Sequence, residues 1–215
     1  MHNTEKDAAQ MAEKQKRAME AGFRLFTERS IDAVSMNDVA RESGVGIATL
    51  YRYYESKMQF VIAIAVWKWE EYQDRHGLEQ KSGETGTDAA GIYTGFLNAF
   101  LDLYRNHRDL LRFNQNFNIY LRGEKADAET VSPYSRMIDR VAEQFRRCWE
   151  LGASDGTLYT DTPWEQAFSA TLHLMLATVT RYAVGLVYQP SAEFDPENEL
   201  RLLKEMLQRQ YVRRR

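Results

Sequence analysis

The chain has 215 residues, 27% charged, 44% hydrophobic and 12% aromatic, which excludes a disordered polar chain and allows one large domain or a small one joined to a larger. Net charge is −3, and over residues 1–66 nine Lys/Arg meet nine Asp/Glu, so nucleic-acid binding by bulk charge is excluded and any DNA contact needs a local surface. Cys148, the one cysteine, excludes an internal disulfide and a zinc–thiolate cluster.

Taken in chain order, every periodic segment reads as helix. From about Asp7 to Arg29, Ala18, Ala21, Gly22, Leu25 and Phe26 recur on one face. Ser35, with Asp38 three residues on, has the spacing of a capping box and opens a short helix that ends at the Gly44-Val45-Gly46 break. Ile47 to Tyr54 is a second short helix, and Ser56 with Gln59 caps a third that runs to about Arg75. Leu78 to Asp88 is polar and Gly-rich and reads as a loop. Two aromatic stripes follow, Ile92, Phe96, Phe100, Leu103 and then Leu110, Phe113, Phe117, Tyr120, with a charged loop from Arg122 to Thr130. Ser132 before Pro133 is the expected start of the next helix, whose face is Met137, Val141, Phe145 and Cys148 or Trp149. A loop over Gly152 to Asp161 leads to Thr162-Pro163-Trp164-Glu165, read as cap, first-turn proline and box. Asp195-Pro196 opens a last helix running to the terminus.

Trp164 to Gln189 carries only Glu165 and Arg181 as charges, yet Gln166, Ser169, Thr171, His173, Thr178 and Thr180 interrupt it, so no membrane span is expected. The N-terminus lacks the apolar core of a signal peptide, and a cytoplasmic protein is expected. The expected fold is all-α, a three-helix N-terminal headpiece (1–56) joined to a larger helical domain (57–215).

The informative segment is SMNDVARESGVGIATLYRYY, Ser35 to Tyr54. Val39 and Ala40 face inward, Gly44 permits a sharp turn with positive φ, Val45 plugs it, and Leu50 and Tyr54 face back to the core. Two helices crossing steeply over a three- to four-residue turn require that spacing. It leaves Ile47, Ala48, Thr49, Tyr51, Arg52 and Tyr53 outward on a helix of a size that enters a major groove. Tyr51, Tyr53 and Thr49 are hydroxyl donors for phosphate oxygens, and Lys57 sits in the first turn of the following helix. Arg52, Ile47 and Ala48 are the residues expected at base edges.

With Phe23-Arg24-Leu25-Phe26 before it, Ser35 to Lys57 resembles the DNA-binding headpiece of the tetracycline-repressor (TetR) family, whose pattern is approximately T-V-x-D-I-A-x-x-A-G-V-S-x-G-T-L-Y-x-H-F-x-S-K. Asp38, Ala40, Gly44, Val45, Thr49, Leu50, Tyr51, Ser56 and Lys57 match it. Gly46 stands where a serine usually caps the recognition helix, Tyr53 where histidine is common, and Ser30 where glycine is usual. The resemblance implies a transcriptional regulator, usually a repressor, with a palindromic operator in double-stranded DNA and a small-molecule effector. It also implies a homodimer built through the last two helices, here 163–189 and 196–211.

The body bears on the effector. Aromatic and Met density points to an apolar or aromatic ligand held by some of Phe96, Phe100, Phe117, Tyr120, Met137 and His173. Such stripes at helical spacing are also plain core, and a histidine in an apolar helix is as well a satisfied core residue. The Trp164–Gln189 segment, apolar nearly all round, suits a helix with a core on one side and a second subunit on the other. His2, His76, His107 and His173 are scattered without metal-ligand spacing, and no nucleophile elbow or phosphate-binding glycine loop occurs. No metal, cofactor or catalytic residue is therefore expected; the alternatives are a helical interaction adaptor without DNA binding and a small helical enzyme.

Overall fold

The structure, a computed structural model, describes residues 2–76, 87–188 and 194–213, with side chains from residue 8 onward. Among the described residues the regular elements are all helical: α1 (His2–Glu28), α2 (Met36–Ser43), α3 (Ile47–Tyr53), α4 (Lys57–His76), α5 (Ala89–Asn106), α6 (Arg108–Gly123), α7 (Ala128–Asp155), α8 (Trp164–Val184) and α9 (Pro196–Tyr211). They form two compact units, Met1–Lys68 with Phe113–Tyr134, and Trp69–Arg112 with Ser135–Arg215.

In the first unit α1, α2 and α3 pack against one another. Phe26, Val34, Val39, Leu50, Phe60, Val61 and Ile64 are fully buried, and Phe60 meets the rings of Phe26 at 6.1 Å and Tyr54 at 4.8 Å. Gly22 makes the α1–α4 approach possible, since a Cβ there would stand 2.7 Å from the Phe60 ring and 2.8 Å from Ile64 Cδ1. Asn116 donates from Nδ2 to the carbonyls of Phe26 and Arg29, satisfying orphan acceptors at the end of α1. Phe113 stacks near Phe117 and lies 5.3 Å from Phe23, and Tyr134 covers Phe117 at 4.8 Å.

The second unit is built on α5, α8 and α9, each packed on the other two. Tyr93 is its centre: fully buried, edge-on to Phe145, Trp149 and Tyr211, with its hydroxyl 3.1 Å from that of Thr171. The N-terminus of α5 is capped three ways, by Asp155 Oδ2 on the Ala89 N–H, Thr157 Oγ1 on that of Ala90, and Asp88 Oδ1 on that of Gly91. A single antiparallel bridge joins Leu158 to Val212.

Several helix boundaries differ from the sequence reading; α1 begins at His2, and α9 stops at Tyr211, where Val212 turns extended and bridges Leu158, short of the expected terminus. α7 starts at Ala128, not at Ser132, because Asp127 caps it through the Thr130 N–H; Pro133 is then interior and removes the bond to the Glu129 carbonyl. The same helix runs through Gly152 to Asp155, and Gly152 is used for a close approach, a Cβ there meeting Leu158 at 2.5 Å. α8 is capped at Pro163 without a side-chain bond, and Thr162 instead gives its carbonyl to Trp149 Nε1. It stops at Val184, where Gly185 takes φ 110°, so the expected helix to Gln189 is too long; Gln189 itself lies outside the described residues. Most of the expected loop from Leu78 to Asp88 also lies outside them. No helix among the described residues is long and apolar enough to cross a membrane.

Candidate nucleic-acid interface

The α2–α3 pair is held by local bonds that the sequence encodes. Ser35 Oγ accepts from the Asp38 N–H at 3.1 Å and Asp38 Oδ2 accepts from the Ser35 N–H at 2.9 Å, a complete capping box. The Ser35 hydroxyl, 2.6 Å from Asp38 Oδ2, the Ser35 N–H and Arg41 all donate to the Asp38 carboxyl and hold it down at about 2. At the far end Ser43 Oγ donates to the Val39 carbonyl and accepts from the Val45 N–H. Gly44 takes φ 66°, the left-handed conformation, and a Cβ there would meet nothing within 4 Å, so the glycine answers the backbone and not a lack of space. Val45 and Leu50 are buried below the turn.

Within α3, Ala48, Tyr51 and Arg52 are exposed, spaced i, i+3, i+4 on one face; Ile47 and Thr49 flank them half-buried. Gly46 is the N-cap and offers no side-chain bond, leaving the Thr49 and Leu50 N–H groups to its carbonyl. The structure therefore brings Ile47, Ala48, Thr49, Tyr51 and Arg52 together on one outward surface.

Tyr53 is placed differently from the expected outward phosphate donor. It is half-buried with its hydroxyl enclosed and unpartnered, its ring edge-on to Tyr54 and 5.6 Å from the Arg52 guanidinium. Lys57 is half-buried, its ammonium 5.3 Å over the Tyr120 ring. Desolvation lowers its pKa, while Asp32 and Glu124 act the other way.

The six residues expected to hold a ligand fall in both units. Phe117 and Tyr120 belong to the first unit, one packed on Phe113 and Tyr134, the other under Lys57. Phe96, Phe100 and Met137 belong to the second; Phe96 lies 5.2 Å from Phe100, and Met137 is fully buried with its sulfur 3.0 Å from Gln73 Nε2. His173 does not point into the apolar interior. It is exposed on α8, its Nδ1 3.2 Å from Ser169 Oγ, because the buried face of that helix is Phe168, Thr171, Met175 and Val179. Cys148 is buried, and burial pushes its thiol up to about 12, as an inert core residue requires.

The sequence reading missed one cluster. His76, Asp102 and His107, which their spacing leaves scattered, meet in the second unit with ligand atoms all within 4.8 Å of one another. The available signal was local: Asp102 and His107 flank the end of α5, five residues apart.

The model of the bacterial regulatory proteins of the tetR family matches residues 18–64, which span the second half of α1 to the first half of α4. An HTH-type transcriptional regulator of Staphylococcus aureus (strain USA300) is 40% identical over 45 residues, 21% of this chain and 24% of that protein. The chain thus spans about a quarter of the length of the relatives it matches in sequence. Two solved structures share the whole fold. A putative transcriptional regulator from Saccharomonospora viridis, in complex with choline, has TM-score 0.73 at 18% identity, over 94% of this chain and 100% of that one. FadR from Bacillus subtilis, in complex with stearoyl-CoA, has TM-score 0.70 at 16% identity, over 89% and 96%. The helix-turn-helix segment just described is thus the part of the chain that matches the tetR family of bacterial regulatory proteins, and the chain as a whole shares its fold with these solved structures.

Proposed function

We propose that the protein is a ligand-responsive, sequence-specific transcriptional regulator, a repressor released from a palindromic operator by a small apolar or aromatic molecule, acting in the cytoplasm and catalysing nothing. The observation that carries this reading is the α2–Gly44–α3 unit, with Val45 and Leu50 buried and Ala48, Tyr51 and Arg52 presented outward in the segment that matches the family. In this reading residues 1–56 are the DNA-binding domain and 57–215 the ligand-binding and dimerisation domain. Arg52, Ile47 and Ala48 meet base edges; Tyr51, Thr49 and Lys57 meet phosphates. Tyr53 joins them only if its hydroxyl leaves the enclosure described above.

Assembly follows from α8 and α9. Opposite the buried face of α8, Leu174, Ala177 and Val184 are exposed, as are Leu202 and Met206 on α9. Apolar side chains in such a row, on helices already packed on their other sides, suit an isologous two-fold pair through 163–184 and 196–211. A dimer then sets two α3 helices on half-sites about 34–36 Å apart. For the effector, the S. viridis neighbour with choline and the B. subtilis neighbour with stearoyl-CoA support small-molecule binding by this fold. Phe96, Phe100 and Met137 are the residues of this chain we assign to it.

Selection of duplexes from a random pool by the full chain tests the reading. Enrichment of an inverted repeat, bound with strong salt dependence, is the expected result. Recovery of no common sequence overturns it and favours an interaction adaptor.

A further inference from the structure

We infer that His76, Asp102 and His107 form a binding site for a divalent transition ion, most suitably zinc. The site is independent of the DNA-binding reading: it lies wholly in the second unit, where the last residue of α4 meets the end of α5 and the residue that separates α5 from α6.

The geometry carries the inference. Nε2 of His76 and Nε2 of His107 each stand 3.5 Å from the same oxygen, Asp102 Oδ2. An N–H···O hydrogen bond has its mode near 2.9–3.0 Å, so both separations are too long for two well-made bonds to the carboxylate. They are close to the edge of a tetrahedron of ligands: bonds of about 2.0–2.1 Å from one ion place neighbouring ligand atoms about 3.3–3.4 Å apart. Both nitrogen–oxygen separations thus suit a shared ion better than direct hydrogen bonds, and all three ligand atoms lie within 4.8 Å of one another.

The surroundings are those of an oriented ligand set. Asn106 Nδ2 donates to Asp102 Oδ1 at 2.7 Å, which occupies the other oxygen and turns Oδ2 to the histidines. Tyr72 stacks on His76 at 4.7 Å and meets His107 edge-on at 5.1 Å, fixing both ring planes. Its hydroxyl is committed to the Ala99 carbonyl at 2.6 Å and also lies 3.4 Å from Asp102 Oδ2. The nearby cations are engaged elsewhere, Arg105 with Glu197 and Arg75 with Glu71. Side-chain exposures of 33%, 26% and 29% leave the three ligands open to an ion from solvent. Imidazole with a carboxylate favours zinc, cobalt or nickel over magnesium or calcium, and three protein ligands leave a fourth position for water or an anionic group.

The test uses the full chain stripped with a chelator and titrated with Co(II), read by visible absorption, and with Zn(II), read by thermal melting. One Co(II) per chain with tetrahedral ligand-field bands, and a melting temperature raised by Zn(II), are expected. His107→Ala and His76→Gln each weaken Co(II) binding at least tenfold, and Asn106→Ala by about 10- to 100-fold through the loss of its orienting bond. His173→Ala, an exposed histidine on α8, leaves binding unchanged. Helical circular dichroism checks each variant, and if one ligand variant loses its fold the other decides. Uptake by the chain no greater than by the His76→Gln/His107→Ala double variant, or loss of binding on His173→Ala, overturns the assignment.

Discussion

The most exacting prediction compares the two proposed phosphate contacts, Tyr51 and Lys57, which differ in charge. Tyr51 is 50% exposed on the outward face of α3, so Tyr51→Phe leaves the free fold within about 0.5 kcal/mol and its whole effect appears in the complex. A hydrogen bond to a charged group is worth about 1.5–3 kcal/mol, so each half-site binds about 10- to 150-fold more weakly. A tyrosine hydroxyl releases no counterion, and the salt slope stays that of the wild type. Lys57→Ala removes a charge: the slope falls by about 0.9 for each headpiece, one phosphate each. That variant also loses the ammonium's position over the Tyr120 ring, worth about 0.5–1 kcal/mol, which is read separately as a lower melting temperature. Affinities for a selected duplex and for a scrambled one, measured from about 50 to 200 mM salt, give both quantities. Both variants should weaken the two duplexes in equal proportion, as backbone contacts do. Wild-type affinity and slope in both variants, with the fold intact, refute the assignment of this face to DNA.

Ala177→Glu or Leu174→Glu should convert the proposed dimer to monomers in sedimentation, because each places a charge on the exposed row of α8; a charge at Gly185 is a poorer test, since φ 110° strains any side chain there. Gly22→Ala should destabilise the first unit, overpacking at 2.7–2.8 Å costing about 1–3 kcal/mol against a helix gain of about 1 kcal/mol. Gly123→Ala, with nothing within 4 Å, should stabilise by about 0.4–1 kcal/mol, and equal signs in denaturant melts would contradict the packing argument. The Asp38 carboxyl is depressed in the folded state, so its contribution is present above about pH 4 and lost as pH falls toward 2; Asp38→Asn should remove that part of the acid transition. Cys148, with its thiol held near 12, should react with a maleimide at pH 8 only as fast as the chain unfolds.

What was legible in the sequence was what neighbours in the chain decide. The Ser35–Asp38 box and the Gly44 turn rest on bonds spanning four residues or fewer, Leu50 is buried where its place after the turn puts it, and each formed as its spacing required. The all-helical class followed from the same local periodicity. Misreadings at helix ends arose where a second local signal competed with the first. Asp127 captured the start of α7 ahead of Ser132-Pro133, and Gly152 was spent on contact with Leu158 where a helix stop was expected. Side-chain direction within a correctly read helix was harder: Tyr53 and His173 sit on the expected helices, yet one hydroxyl is enclosed and the other ring faces solvent.

Sites assembled across the chain were not legible, for a reason that periodicity makes general. A stripe such as Leu110, Phe113, Phe117, Tyr120 states that one face is buried but not against what. Here Phe113 packs on Phe23 of α1 and on Phe117, and Asn116 between them ties off α1, so Phe117 and Tyr120, both expected to hold a ligand, belong to the first unit. His76 and His107 are the converse case, two side chains without motif spacing that Asp102 and Tyr72 gather at one corner. Their separation in sequence exceeds any local rule, and only the packing of α4 and α5 in the second unit sets both imidazoles 3.5 Å from one oxygen. A residue type that carries chemistry therefore needs a spatial test even where its spacing argues against a site, and in this chain the corner at Asp102 is where that test has most to decide.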